Sequence, residues 1–75
     1  MPRYFFRLSN GDVVRDEDGE ELADNDAACA VALEVFAETI PSKRDALMGG
    51  GDYEVMVTDA DDGQVYSVTA QGRRF

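Results

Sequence analysis

The apolar residues of this chain change their spacing twice, and that change limits the fold more than any other feature. From Arg3 to Leu8 they alternate, with Tyr4, Phe6 and Leu8 on one side and Arg3, Phe5 and Arg7 on the other. That is the period of a strand with one buried face. Between Ala28 and Ile40 the spacing lengthens to three and four: Ala28, Val31, Ala32, Val35, Phe36 and Ile40 form one stripe, which Cys29 and Leu33 widen on its flank, and Glu34 and Glu38 lie opposite. From Tyr53 the period returns to two, as Val55 and Val57 alternate with Glu54, Met56 and Thr58. One kind of element cannot satisfy both periods. A helix set between strands is required.

The punctuation between these segments agrees. Asn10-Gly11 supplies two residues tolerant of positive φ, as a two-residue hairpin turn requires, and Val13-Val14 begins a returning strand. Arg15 to Leu22 reads as a charged turn centred on Asp18-Gly19. Asp24, Asn25 and Asp26 offer N-cap oxygens and negative charge to the start of a helix. Pro41 ends or kinks that helix, being welcome only at the start of a new one, and Gly49-Gly50-Gly51 reads as a linker. Asp59 to Gly63 is a turn, Gln64 to Ala70 is a strand rich in Val, Tyr and Thr, and Gln71 to Phe75 reads as a frayed tail.

The expected fold is therefore α+β: a two-layer ββαββ arrangement, with one main amphipathic helix on one face of a small, largely antiparallel four-stranded sheet. Strands are expected near 3–9, 12–15, 52–58 and 64–70, and the helix near 25–40 with a continuation at 42–48. The expected core is Tyr4, Phe6, Leu8, Val31, Val35, Phe36, Tyr53, Val55, Val57 and Val68.

At 75 residues the chain has room for one domain. A domain of that size buries only about 60% of its unfolded surface, which argues against a deep substrate cavity. Seven Lys and Arg against 16 Asp and Glu give a net charge of −9. That balance opposes binding to nucleic acid or to an anionic membrane; it accounts first for solubility, and only second for a partner with a basic face. Cys29 is the single cysteine, so no internal disulfide forms. Pro2 to Arg7 holds only three consecutive strongly apolar residues, short of the about 7–15 of a secretory leader or the about 20 of a membrane span. A cytoplasmic protein is expected.

The chemistry-bearing residues are few. No histidine is present, which removes the commonest general base and any Ser–His or Cys–His pair within one chain. Cys29, between two alanines, reads as a small buried hydrophobe rather than an activated thiolate. The acidic turns resemble calcium loops only loosely: Gly63 comes one place early, and Ala70 stands where a bidentate Glu would be needed. The glycine run has no Lys-Ser or Lys-Thr behind it and is no phosphate loop. No enzyme activity, cofactor or metal is expected.

What remains is surface. One helix covers one side of the sheet, so Arg3, Phe5, Arg7 and Met56 fall on an uncovered face with the residue types that enrich interface cores. The leading expectation is a binding or assembly module that self-associates there as a homodimer. The alternative is an acidic regulator, or nucleic-acid mimic, that docks a basic protein surface through Asp16, Glu17, Asp18, Glu20, Glu21, Asp59, Asp61 and Asp62.

Three segments also carry a resemblance: Pro2-Arg3-Tyr4-Phe5-Phe6, then Arg15-Asp16-Glu17-Asp18-Gly19-Glu20-Glu21-Leu22, and then Val57 to Gly63 behind an Ala- and acid-rich helix. Together they resemble a family of small proteins of unknown function common in rhizobia and related alphaproteobacteria. In its commonest form a histidine stands at the position of Arg7. The resemblance implies the fold and transfers no functional residue.

Overall fold

The computed structural model describes residues 2–9, 13–15 and 18–75, with the backbone alone at 13–15. In chain order the elements are β1 (Arg3–Ser9), β2 (Val13–Arg15), β3 (Glu20–Glu21), α1 (Asn25–Thr39), a 3₁₀ turn (Ile40–Lys43), α2 (Arg44–Met48), β4 (Asp52–Asp59) and β5 (Gln64–Gln71). The strands form one antiparallel sheet in the order β2-β1-β4-β5, and α1 packs over β4 and β5. This is the expected two-layer α+β arrangement. The Asn10-Gly11 turn lies outside the described residues.

One strand was not expected. Within the stretch read as a turn, Glu20 and Glu21 pair with Tyr4 and Arg3, while β2 pairs with Arg7 to Ser9. The outer margin of β1 is thus covered by two short pieces in place of one strand. A run of charged residues carries no alternation to betray a strand, and the backbone of β1 recruits it regardless.

Register decides which residues meet the helix. Phe6 faces Val57 and Leu8 faces Val55 across β1 and β4, and Val55 faces Val68 across β4 and β5. Tyr4, Phe6, Ala28, Ala32, Tyr53, Val55 and Val57 are buried, and Leu8, Val31, Val35, Phe36 and Val68 pack half-buried around them. The helix meets the sheet most closely at Ala28 and Ala32, where small side chains let the two layers approach, and Val31, Val35 and Phe36 pack around that contact. Leu33 does not widen that contact: it is 47% exposed. Five positions beyond Ala28, it is turned about 140° from the buried direction.

Helix ends follow the sequence chemistry. Asp24 caps α1 by accepting from the Ala27 N–H at 2.9 Å, and Pro41 starts the 3₁₀ turn after Thr39. The glycine run is a helix cap and not a linker. Gly51 N–H donates to the Ala46 carbonyl and Gly50 N–H to that of Leu47, with Gly50 at φ +90°. This is the paired bonding that ends a helix through a left-handed residue. The tail is also anchored further than expected, since Gln71 belongs to β5 and Gly72 N–H donates to the Gly51 carbonyl at 3.1 Å.

Candidate interaction face

Two tyrosines fix α1 to the sheet. The Tyr4 hydroxyl donates to Asn25 Oδ1 at 2.7 Å, at the first residue of the helix. Tyr53 lies 2.6 Å from Thr39 Oγ1 at the last, and stacks on Phe36 with ring centroids 5.7 Å apart. The helix therefore covers one surface of the sheet, and among the described residues no second layer lies on the other.

On that uncovered face the ladder sets Phe5 beside Thr58 and Arg7 beside Met56. These residues line a shallow hollow of about 280 Å³, together with Phe6, Asp62 and Gln64. Arg7 is half-buried, and its Nη2 points at Met56 Sδ at 3.3 Å. Among the described residues no carboxylate pairs with it. A guanidinium resting on a thioether keeps most of its donors for another acceptor.

The other two members of the expected set differ. Arg3 lies on the same face, but its guanidinium turns to the sheet margin, donating to the Asp18 carbonyl at 2.7 Å and pairing with Glu21 at 3.4 Å. Phe5 is half-covered from within the molecule. A methyl group on Gly19, whose φ is +73°, would come within 2.9 Å of its ring. Thr58 and Gln64 complete the hollow. Alternation puts Thr58 on the Met56 side of its strand, and the β1–β4 register sets it beside Phe5.

The acidic residues converge more than their sequence positions suggest. Tyr4 is the register partner of Glu20 on one side and of Asp59 on the other, so both acidic segments meet at one end of the sheet. Asp24 and Asp26 stand at the start of α1 beside them. Burial, then the charges of Asp24 and Asp59, hold the Tyr4 phenol above its ordinary pKa. Asp16 and Glu17 lie outside the described residues. In the Asp59–Gly63 turn, Asp59 Oδ1 accepts from the N–H groups of Asp61 at 2.9 Å and Gly63 at 2.7 Å. Among the described residues no three His, Cys, Asp or Glu side chains gather as metal ligands. Cys29 is half-buried in α1. No helix among the described residues is long and apolar enough to cross a membrane.

The matched stretch, residues 3–71, begins with the first residue of β1 and ends with the last of β5. The chain belongs to the domain of unknown function DUF6894. Every element that builds the hollow and the acidic end lies inside the DUF6894 match. No curated protein and no solved structure matches the chain.

Proposed function

We propose that this DUF6894 chain is a non-enzymatic binding and assembly module that meets a second copy of itself through the uncovered sheet face. The observation that carries the reading is the hollow between Phe5, Arg7, Met56 and Thr58, where a half-buried guanidinium has no carboxylate partner among the described residues. Aromatic, Met and Arg side chains are the types that interface cores favour, and a chain of net charge −9 offers many carboxylates to a guanidinium. Sedimentation velocity over a concentration series tests it. The wild type sediments as an associated species, and Phe5→Glu weakens that association. A wild type that stays monomeric at several hundred micromolar rules it out.

A second reading rests on the meeting of the acidic segments at the Tyr4 end of the sheet. There the chain docks a basic protein surface, as an acidic regulator in which Asp18, Glu20, Glu21, Asp61 and Asp62 supply the field. Salt separates the two: docking of this kind weakens steeply as ionic strength rises, whereas a contact made mainly by Phe5 and Met56, with Arg7 its one charged member, weakens little.

A further inference from the structure

The two margins of the sheet are built differently. On one side β1 is covered by two short pieces, the three-residue β2 and the two-residue, wholly acidic β3. On the other side β5 is eight residues long, reads Gln-Val-Tyr-Ser-Val-Thr-Ala-Gln, and contains no charge and no proline. Among the described residues β5 pairs with β4 alone. Gly72 N–H bonds inward to Gly51, so by alternation Ala70, Val68 and Tyr66 also bond inward. The N–H and C=O groups of Ser67, Thr69 and Gln71 point away from the sheet. An uncharged margin of this length is a template for another strand.

The charges at its two ends say which strand. β5 is preceded by the acidic turn Asp59-Ala60-Asp61-Asp62-Gly63 and followed by Gly72-Arg73-Arg74. Arg73 stacks over Phe75, and neither Arg73 nor Arg74 has a carboxylate partner among the described residues. Antiparallel pairing of β5 with a second β5 sets the acidic turn of each copy beside the arginines of the other. Parallel pairing would set like charges together. The segment is thus complementary to itself in one orientation only.

We infer that two copies of this chain join through β5 about a two-fold axis, forming one continuous sheet with Asp61 and Asp62 of each copy facing Arg73 and Arg74 of the other. Outward-pointing residues must meet outward-pointing residues, which allows two central registers. One places Val68 opposite Val68 of the second copy, and the other does the same for Ser67. The shortness of the two pieces on the far margin, and the two glutamates of β3, defend it against a third copy, so the assembly closes at this surface. Both helices then lie on one side of the joined sheet and both Phe5 hollows on the other. The inference uses a different surface from the hollow and stands without it.

Charge reversal in trans is the test, read by sedimentation with circular dichroism as the check on folding. Arg73→Glu/Arg74→Glu alone, and Ala60→Lys/Asp61→Lys alone, each weaken the dimer at least tenfold. Mixed together they form a heterodimer, because each acidic end again meets a basic one. Thr69→Pro removes an outward N–H that the monomer does not use, and also breaks the dimer. A dimer that survives all three variants and yields to Phe5→Glu overturns the β5 pairing and leaves the open-face reading standing. A dimer that yields to the edge variants and ignores Phe5→Glu does the reverse. A wild type that is monomeric at several hundred micromolar, or that takes a strand from another protein in preference to its own, also overturns the inference.

Discussion

Tyr53 and Thr39 hold the end of α1 on the sheet with oxygens 2.6 Å apart. Thr39 Oγ1 also lies 2.7 Å from the Val35 carbonyl, to which its proton goes. The Tyr53 hydroxyl is therefore the donor of the pair, and its buried oxygen depends on Thr39 for satisfaction. Tyr53→Phe should cost about 1 kcal/mol, and lower the melting temperature by roughly 4–8 °C in a domain of this size. Thr39→Val should cost a similar amount. The double variant should lose clearly less than the sum of the two, because both remove one interaction. Thermal melts of the four proteins decide it; strict additivity would show that the pair is not coupled.

Alkaline stability should follow Tyr4. Its phenol is held above its ordinary value by burial first and by Asp24 and Asp59 next. The unfolded chain releases its phenolic proton near pH 10, before the folded chain does. The resulting stability is complete below about pH 10 and is lost as the pH rises through the higher folded value. Tyr4→Phe should flatten the fall in melting temperature above that pH while lowering stability near neutrality, where the bond to Asn25 is gone. Melts from pH 7 to pH 11 for both proteins check it. An unchanged alkaline slope in the variant would refute it.

Two glycines should respond to alanine for different reasons. At Gly72 an added methyl group would collide with the Leu47 backbone carbonyl, which cannot turn aside. At Gly50 nothing lies within 4 Å, and the cost is only that of placing a side chain at φ +90°. Gly72→Ala should therefore cost about 3 kcal/mol and Gly50→Ala about 1–2 kcal/mol. Urea unfolding of both variants measures the order, and a reversed order would mean that the tail docks less firmly on α2 than its close approach to Leu47 implies.

The turn between β4 and β5 should depend on Asp59 and not on cations. Its carboxylate accepts two backbone N–H groups, so Asp59→Ala should destabilise by about 1–2 kcal/mol. Millimolar calcium should leave the wild-type melting temperature where it was, since among the described residues no three carboxylates gather around a common point to hold the ion. A rise with calcium would restore the metal reading of this turn.

Periodicity made the architecture legible. The alternation around Tyr4 and Tyr53, the stripe through Ala32 and the stop at Pro41 all correspond to elements of the fold. What escaped was decided by long-range backbone pairing. Glu20 and Glu21 have no strand signature and become β3 because β1 offers them unpaired groups. Gly51 looked like slack and is a cap, because capping is a property of where the preceding helix stops. The candidate face was half legible. Alternation placed Phe5, Arg7, Met56 and Thr58 on one face, but only the folded chain sets Thr58 beside Phe5, turns Arg3 aside to Asp18 and brings Gly19 against the Phe5 ring.

The broken covering of β1 by β2 and β3 has a consequence for how this chain behaves when concentrated. Runaway stacking of sheets needs two receptive sides on every unit, so that each newcomer offers a fresh landing place. Here one side is covered, among the described residues, by two short pieces of which one is wholly acidic, and a molecule added at β5 presents only that defended side outward. A neutral, strongly β-forming segment can then stay exposed without seeding fibres. Repairing the interruption into one long apolar strand would remove that safeguard.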